Sequence, residues 1–195
     1  MKVFLDVGAH HGQTLEAVQG RFDRVHCFEP VSECWPYLKE MADARTRIER
    51  FGLWNQTARM PLFDPGTQGA GLWMKDKRQP LRPVMTEFCE LRRASEWFSE
   101  NVSGDDMVYL KLNCEGCECD ILDDLLDSGE FSKVTYAMVD FDARKIAALR
   151  HRPAQIMERL KAYPAPRISV SKQVMLGDTH AARIRHWLST LPARA

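Results

Sequence analysis

Apolar positions along the chain fall into short runs separated by stretches of helical spacing. Lys2–Asp6 carries Val3, Phe4 and Leu5 in succession, and Val25–Glu29 carries Val25, Cys27 and Phe28. Runs of this length suit strands buried on both faces. Between them, Gly12–Arg21 sets Leu15 and Val18 at helical spacing, with Thr14 and Glu16 near the start, so the opening segment predicts strand, helix, strand. The alternation continues with a helix over about Glu33–Ala44, a strand around Ile48–Leu53 and a strand-like Arg59–Phe63. After the Ser103-Gly104-Asp105-Asp106 turn come the strand Met107–Leu112, a helix bearing Ile121, Leu122, Leu125 and Leu126, and the strand Val134–Val139. A helix at Ala154–Ala162, an amphiphilic strand at Arg167–Leu176 and a helix from about Thr179 to Leu191 complete the pattern. Strands alternating with helices in this way predict right-handed crossovers, hence an α/β, doubly wound, mostly parallel sheet with helices on both faces.

The segment from about Asp64 to Ser103 breaks the alternation. Gly66, Gly69, Gly71, Pro80 and Pro83 punctuate it, and it reads as a loop-rich excursion over the carboxyl edge of a single domain spanning 1–195. Trp73, Met74, Lys75, Lys77, Arg78, Arg82, Arg92 and Arg93 make it the natural substrate lid: aromatic faces stack on rings and arginines hold phosphate or carboxylate. A solvated basic surface is the competing reading.

Charge and cysteine content then narrow the partners. Twenty-seven Lys and Arg balance twenty-seven Asp and Glu, so no broad attraction to nucleic acid or anionic lipid is expected. No window reaches the roughly 18 apolar residues of a membrane span, and a cytoplasmic protein is expected. The six cysteines (27, 34, 89, 114, 117 and 119) are expected as reduced thiols, because 45% hydrophobic residues supply a core without disulfides. Cys114, Cys117 and Cys119 lack a second paired motif that would complete a structural zinc site, and read as strand-to-helix packing.

In sheets of this class ligands bind beyond the carboxyl ends of the strands. The first strand ends in Asp6-Val7-Gly8-Ala9-His10-His11-Gly12-Gln13-Thr14, where Gly8 and Gly12 permit a sharp turn and close approach of a ligand. The second ends in Phe28-Glu29-Pro30, with Glu29 placed to accept hydrogen bonds from ribose hydroxyls. The glycine spacing is G-x-x-x-G after an acid, with no Lys or Arg in the turn, which suits a cofactor with a cationic end better than a diphosphate. S-adenosylmethionine fits, with Asp6 helping to hold its ammonium directly or through water. An ordinary strand-to-helix turn with an exposed Glu is the alternative.

The three segments Val3 to Thr14, Phe28-Glu29-Pro30 and Leu110-Lys111-Leu112-Asn113-Cys114-Glu115-Gly116-Cys117-Glu118 resemble, in order, the FkbM family of S-adenosylmethionine-dependent methyltransferases. The resemblance covers about Val3 to Asp142. It implies a class I methyltransferase (Rossmann-like) fold and mostly O-methylation of a hydroxyl on a sugar, glycan, glycolipid or secondary metabolite. Two positions depart from the family pattern: His10 stands where Asn is usual, and Asn113 where Asp is usual.

The expected cofactor-binding residues are accordingly Asp6, Gly8, His10, Gly12, Glu29 and Asn113, and the catalytic candidates Asp140, Glu115 and His10. Asp140 is the first choice as general base, burial being expected to raise its pKa. His10 and His11 either orient substrate or hydrogen-bond to backbone. Glu118 is a helix-start carboxylate or a binding group, Asp178 or Thr179 caps the last helix, and His180 is a solvated residue. Magnesium held by Asn113, Glu115, Asp140 and Asp142 is possible but not the expectation. The partner is a small-molecule or glycan acceptor. A non-catalytic cofactor-binding module and an N-methyltransferase are the alternatives; the latter is disfavoured because Asn113-Cys114-Glu115-Gly116 stands where amide and nucleobase enzymes carry Asn/Asp-Pro-Pro-aromatic.

Overall fold

The computed structural model describes residues 1–65, 67, 69–73, 86–163 and 168–192. In chain order the elements are β1 (Lys2–Val7), α1 (Gln13–Val18), β2 (Arg24–Phe28), α2 (Trp35–Met41), β3 (Thr46–Glu49), β4 (Gly52–Trp54), β5 (Ala58–Phe63), β6 (Thr86–Arg93) and α3 (Ala94–Asn101). They continue with β7 (Met107–Leu112), α4 (Glu118–Asp127), β8 (Val134–Val139), α5 (Arg152–Leu160), β9 (Ile168–Val170), α6 (Ser171–Val174) and α7 (His180–Thr190).

Six strands form one sheet in the order β3-β2-β1-β7-β8-β9, and every neighbouring pair is parallel. The doubly wound α/β architecture expected from the pattern is present. Strand period two divides β1 between two cores. Val3, Leu5 and Val7 face a cluster that includes Phe98 of α3, Ile121 and Leu125 of α4 and Ile156 of α5. Phe4 faces the opposite cluster with Leu15 and Val18 of α1, Leu38 of α2 and Trp187 of α7. Because both faces are covered, the central strands carry apolar side chains on both sides, which is why they read as continuous runs.

The switch in winding direction lies between β1 and β7. The chain leaves β1 toward β2 on one side and returns through β7 on the other, which opens a crevice at the carboxyl ends of the two strands.

Three expectations are corrected. The strand proposed over Ile48–Leu53 is two strands in different sheets: β3 closes the edge of the large sheet, whereas β4 joins a three-stranded sheet of order β4-β6-β5. The chain turns at Arg50 and Phe51, and a Cβ at Gly52 would meet Cδ2 of its cross-strand neighbour Leu91 at 2.8 Å, so β4 packs tightly beside β6. The 64–103 excursion is loop-rich only in part, since Thr86–Arg93 is a strand and Ala94–Asn101 a helix. Alternation of buried Cys89 and Leu91 with exposed Phe88, Glu90 and Arg92 was the strand signal. Met74, Lys75, Lys77, Arg78 and Arg82 lie outside the described residues. Finally, the strand expected over Arg167–Leu176 is shorter; Arg167 is outside the described residues, Ile168–Val170 pair with Ala137–Val139, and Ser171–Val174 is helical. At Val139 strand β8 ends, so the chain beyond Val170 has no ladder to extend.

The small sheet is fastened to the large layer by Trp54, whose Nε1 donates to Asp120 Oδ2 at 2.8 Å. Asp120 also accepts from Arg152 of α5. No helix among the described residues is long and apolar enough to cross a membrane.

Candidate functional site

A cavity of about 420 Å³ opens at the switch point. Its floor is the turn after β1 (Gly8, Ala9, His10), the end of β2 (Phe28, Glu29) and the end of β7 (Lys111, Asn113, Cys114, Glu115). Gly52 and Leu53 of β4, Leu62 of β5 and Leu91 of β6 form one side, and Asp178, His180 and Arg183 around the start of α7 contribute to another. Thr67, Ala70, Gly71 and Leu72 also line it, so described residues of the excursion form part of its wall. Such a volume falls within the range of small-molecule and cofactor sites.

Gly8 is held at φ +81°, and a Cβ there would lie 2.0 Å from the Asn113 carbonyl oxygen. The turn and the end of β7 are therefore packed backbone on backbone, which no other residue type permits. Gly12, at φ +84°, lies outside the cavity lining, and its Cβ would strike Met41 and Leu38 of α2. There the missing side chain lets the turn pack against α2.

Glu29 is buried and lines the cavity. Its Oε2 accepts from the His10 N–H at 2.7 Å and its Oε1 from the Val31 N–H at 2.9 Å, so it clasps the turn after β1 to the segment after β2. Burial pushes its carboxyl up, against the two backbone donors that favour the charged form. Each oxygen retains a second lone pair for a ligand hydroxyl. Asn113 lines the cavity opposite; its backbone N–H is bonded to Val7, while its Oδ1 is buried without a hydrogen-bond partner among the described residues.

Asp6 stands elsewhere than expected. It is fully buried outside the cavity lining, beside its cross-strand neighbour Lys111, whose Nζ is 2.9 Å from Asp6 Oδ1. The same ammonium donates to the carbonyls of Gly8 at 2.7 Å and Val7 at 3.3 Å. Burial pushes the Asp6 carboxyl up, with Lys111 opposing the rise. Asp6 thus acts through Lys111, which holds the glycine turn from beneath. A lone cation inside the apolar strand Met-Val-Tyr-Leu-Lys-Leu was the sequence signal for this group.

Of the catalytic candidates, Glu115 and His10 line the cavity and Asp140 does not. Asp140 is not buried as expected: its side chain is 27% exposed and pairs with Arg144 at 3.1 Å. Glu115, at φ +57°, faces Lys145 Nζ at 3.7 Å, and Lys145 lies 2.7 Å from buried Asp142. Of the four residues offered as magnesium ligands, Asp140 faces Arg144, while Glu115 and Asp142 both face Lys145 and also hydrogen-bond each other.

Glu118 caps the loop that presents Asn113 and Glu115. Its Oε1 accepts from the N–H groups of Cys114 at 3.0 Å and Gly116 at 3.1 Å. Burial, with Asp142 nearby, pushes its carboxyl up to about 7. His180, read from sequence as solvated, lines the cavity and places its Nε2 2.9 Å from Thr14 Oγ1. Burial, then the positive charges of Lys111 and Arg183, lowers its pKa to about 4, so the imidazole is neutral at pH 7. Thr179, rather than Asp178, caps α7, accepting from the Ala182 N–H at 3.1 Å. Trp73 lies against Gly116, and Arg92 and Arg93 lie away from the cavity, Arg92 over the Phe51 ring and Arg93 bonded to Asp124. No protein-family model, curated protein or solved structure matches this chain.

Proposed function

We propose that the cavity binds S-adenosylmethionine and that the protein is a cytoplasmic O-methyltransferase acting on a hydroxyl of a small-molecule or glycan acceptor, of the class that the FkbM family represents. The observation that carries this reading is the pairing, in one cavity at the switch point, of the Glu29 carboxylate with the buried, unpartnered Asn113 Oδ1. Glu29 suits ribose hydroxyls, and a buried acceptor lacking a donor suits an ammonium group. No Lys or Arg lies in the turn itself, which weighs against a diphosphate.

When bound, the cofactor supplies a methyl group on an already activated sulfonium, so the chain's task is mainly positioning. Lys111 and Glu29 hold the glycine turn, Glu118 holds the 114–116 loop, and Thr67, Ala70, Gly71 and Leu72 line the cavity from the excursion. Of the two carboxylates among the catalytic candidates, Glu115 is the one that lines the cavity, and it takes the role of proton acceptor first given to Asp140; neutral His180, with Thr14, offers a second polar contact for the acceptor hydroxyl.

Calorimetric titration with S-adenosylhomocysteine tests cofactor binding, and labelled methyl transfer to a panel of hydroxylated acceptors tests catalysis. Glu29→Ala should weaken S-adenosylhomocysteine binding by roughly 2 to 4 kcal/mol, about 30- to 900-fold. Equal affinity in wild type and variant would remove the ribose assignment. Binding without transfer to any acceptor would favour the non-catalytic module.

A further inference from the structure

We propose that His10, His11 and Cys34 form a binding site for a zinc-type divalent cation, bridging the turn after β1 to the start of α2. The three side chains offer two imidazole nitrogens and one thiol sulfur, all within 4.8 Å of one another, and they are the one such group among the described residues. In a tetrahedral site with the usual Zn–N and Zn–S lengths, ligand atoms sit roughly 3.3–3.6 Å apart. The observed cluster, whose ligand atoms lie within 4.8 Å of one another, therefore needs contraction of up to about 1.5 Å per contact, which rotation of the two imidazoles and the thiol would supply.

Independent observations point the same way. The Nε2 of His11 is buried and has no hydrogen-bond partner among the described residues, which a metal would satisfy. His11 makes ring contacts with His10 at 4.0 Å and with Tyr37 at 4.4 Å between centroids. Cys34 is fully buried, with its sulfur within 4.8 Å of a ring nitrogen of each histidine. His10 adopts φ +48°, uncommon for a residue with a side chain, in the conformation that brings its ring beside His11.

The donor set selects the metal. Imidazole and thiolate suit zinc or a similar borderline ion and not magnesium or calcium, which require oxygen ligands. On ligation Cys34 releases its proton to solvent and binds as thiolate. Three protein ligands leave the fourth position to water or another small ligand. The site is distinct from the Asn113, Glu115, Asp140 and Asp142 set, and its metal would tie together the two segments that Glu29 already clasps. The inference does not rest on the methyltransferase reading, since metal binding is measured without cofactor or acceptor.

The experiment is titration of the chelator-treated, phosphine-reduced protein with Co2+, followed by competition with Zn2+. The wild type should bind one equivalent and show a thiolate-to-cobalt charge-transfer band with intense tetrahedral d–d bands. Cys34→Ser should abolish the charge-transfer band. His11→Gln should weaken binding by more than the roughly 10- to 100-fold typical of losing an outer-shell partner. Cys117→Ser, which alters the other cysteine cluster, should leave the spectrum intact. Should Cys34→Ser misfold by circular dichroism, His11→Gln decides the matter alone. Absence of stoichiometric binding, wild-type affinity in His11→Gln, or a band that survives Cys34→Ser and disappears in Cys117→Ser would overturn the site.

Discussion

At the scale of single residues, the groups that shape the cavity are buried titratable side chains whose environments pull in opposite directions. Glu118 is pushed up to about 7 by burial, so the folded protein favours its protonated form. Its contribution to stability is full below the unfolded value near 4.5 and is lost as pH rises through about 7. His180, lowered to about 4, acts in the opposite sense: its contribution is full above 6.5 and is lost as pH falls through about 4. The two windows overlap, so wild type alone does not separate them. Glu118→Gln keeps an Oε1 acceptor for both loop N–H groups and removes the ionisation. Relative to wild type, it should gain roughly 3 kcal/mol of stability between pH 4.5 and pH 7.5, read by urea unfolding at the two values. A constant difference across that range would mean that Glu118 ionises without penalty. Little of this was legible beforehand. Glu118 reads from sequence as a helix-start carboxylate, and its burial and two loop hydrogen bonds depend on how the 114–116 loop folds back over it.

At the scale of elements, the decisive contact is the Asp6–Lys111 pair across β1 and β7, with exposures of 0% and 2%. Breaking a buried pair leaves an uncompensated charge, whereas replacing both partners with apolar groups removes the desolvation cost as well. Lys111→Met should therefore lower stability by about 3–5 kcal/mol, and Asp6→Leu/Lys111→Met should recover most of that loss in urea melts. Cofactor binding should not recover with it, because the carbonyls of Val7 and Gly8 would still lack the ammonium that holds the turn. Recovery of S-adenosylhomocysteine affinity in the double variant would show that Lys111 serves stability alone. The strands themselves were legible, since Lys2–Asp6, Val25–Glu29, Met107–Leu112 and Val134–Val139 carry near-continuous apolar runs. The division of 48–54 between two sheets was not, because a bend at Arg50 and Phe51 leaves the local hydropathy unchanged while redirecting the hydrogen-bond partners.

At the scale of the whole molecule, the cavity is assembled from segments far apart in the chain: the β1 turn, the β7 end, the small sheet and the start of α7. A ligand bridging them stabilises the fold as a unit. S-adenosylhomocysteine at about 100 times its dissociation constant should add about 2.7 kcal/mol to unfolding stability, seen as a higher melting temperature that rises with ligand concentration. No shift at millimolar ligand would count against the cofactor reading. The order of alternating elements, the parallel sheet and the placement of Gly8, Glu29 and Asn113 at strand ends were determined by the sequence itself, because hydrophobic periodicity and strand-end position are local properties of the chain. Only the tertiary structure decided that Asp6 lies behind Lys111, that Asp140 pairs with Arg144 outside the cavity, that His180 meets Thr14 from the far end of the chain, and that Cys34 stands beside two histidines. Each of these is a contact between side chains whose separation in space is set by sheet register and helix packing, and neither is encoded in the spacing of residues along one strand or one turn.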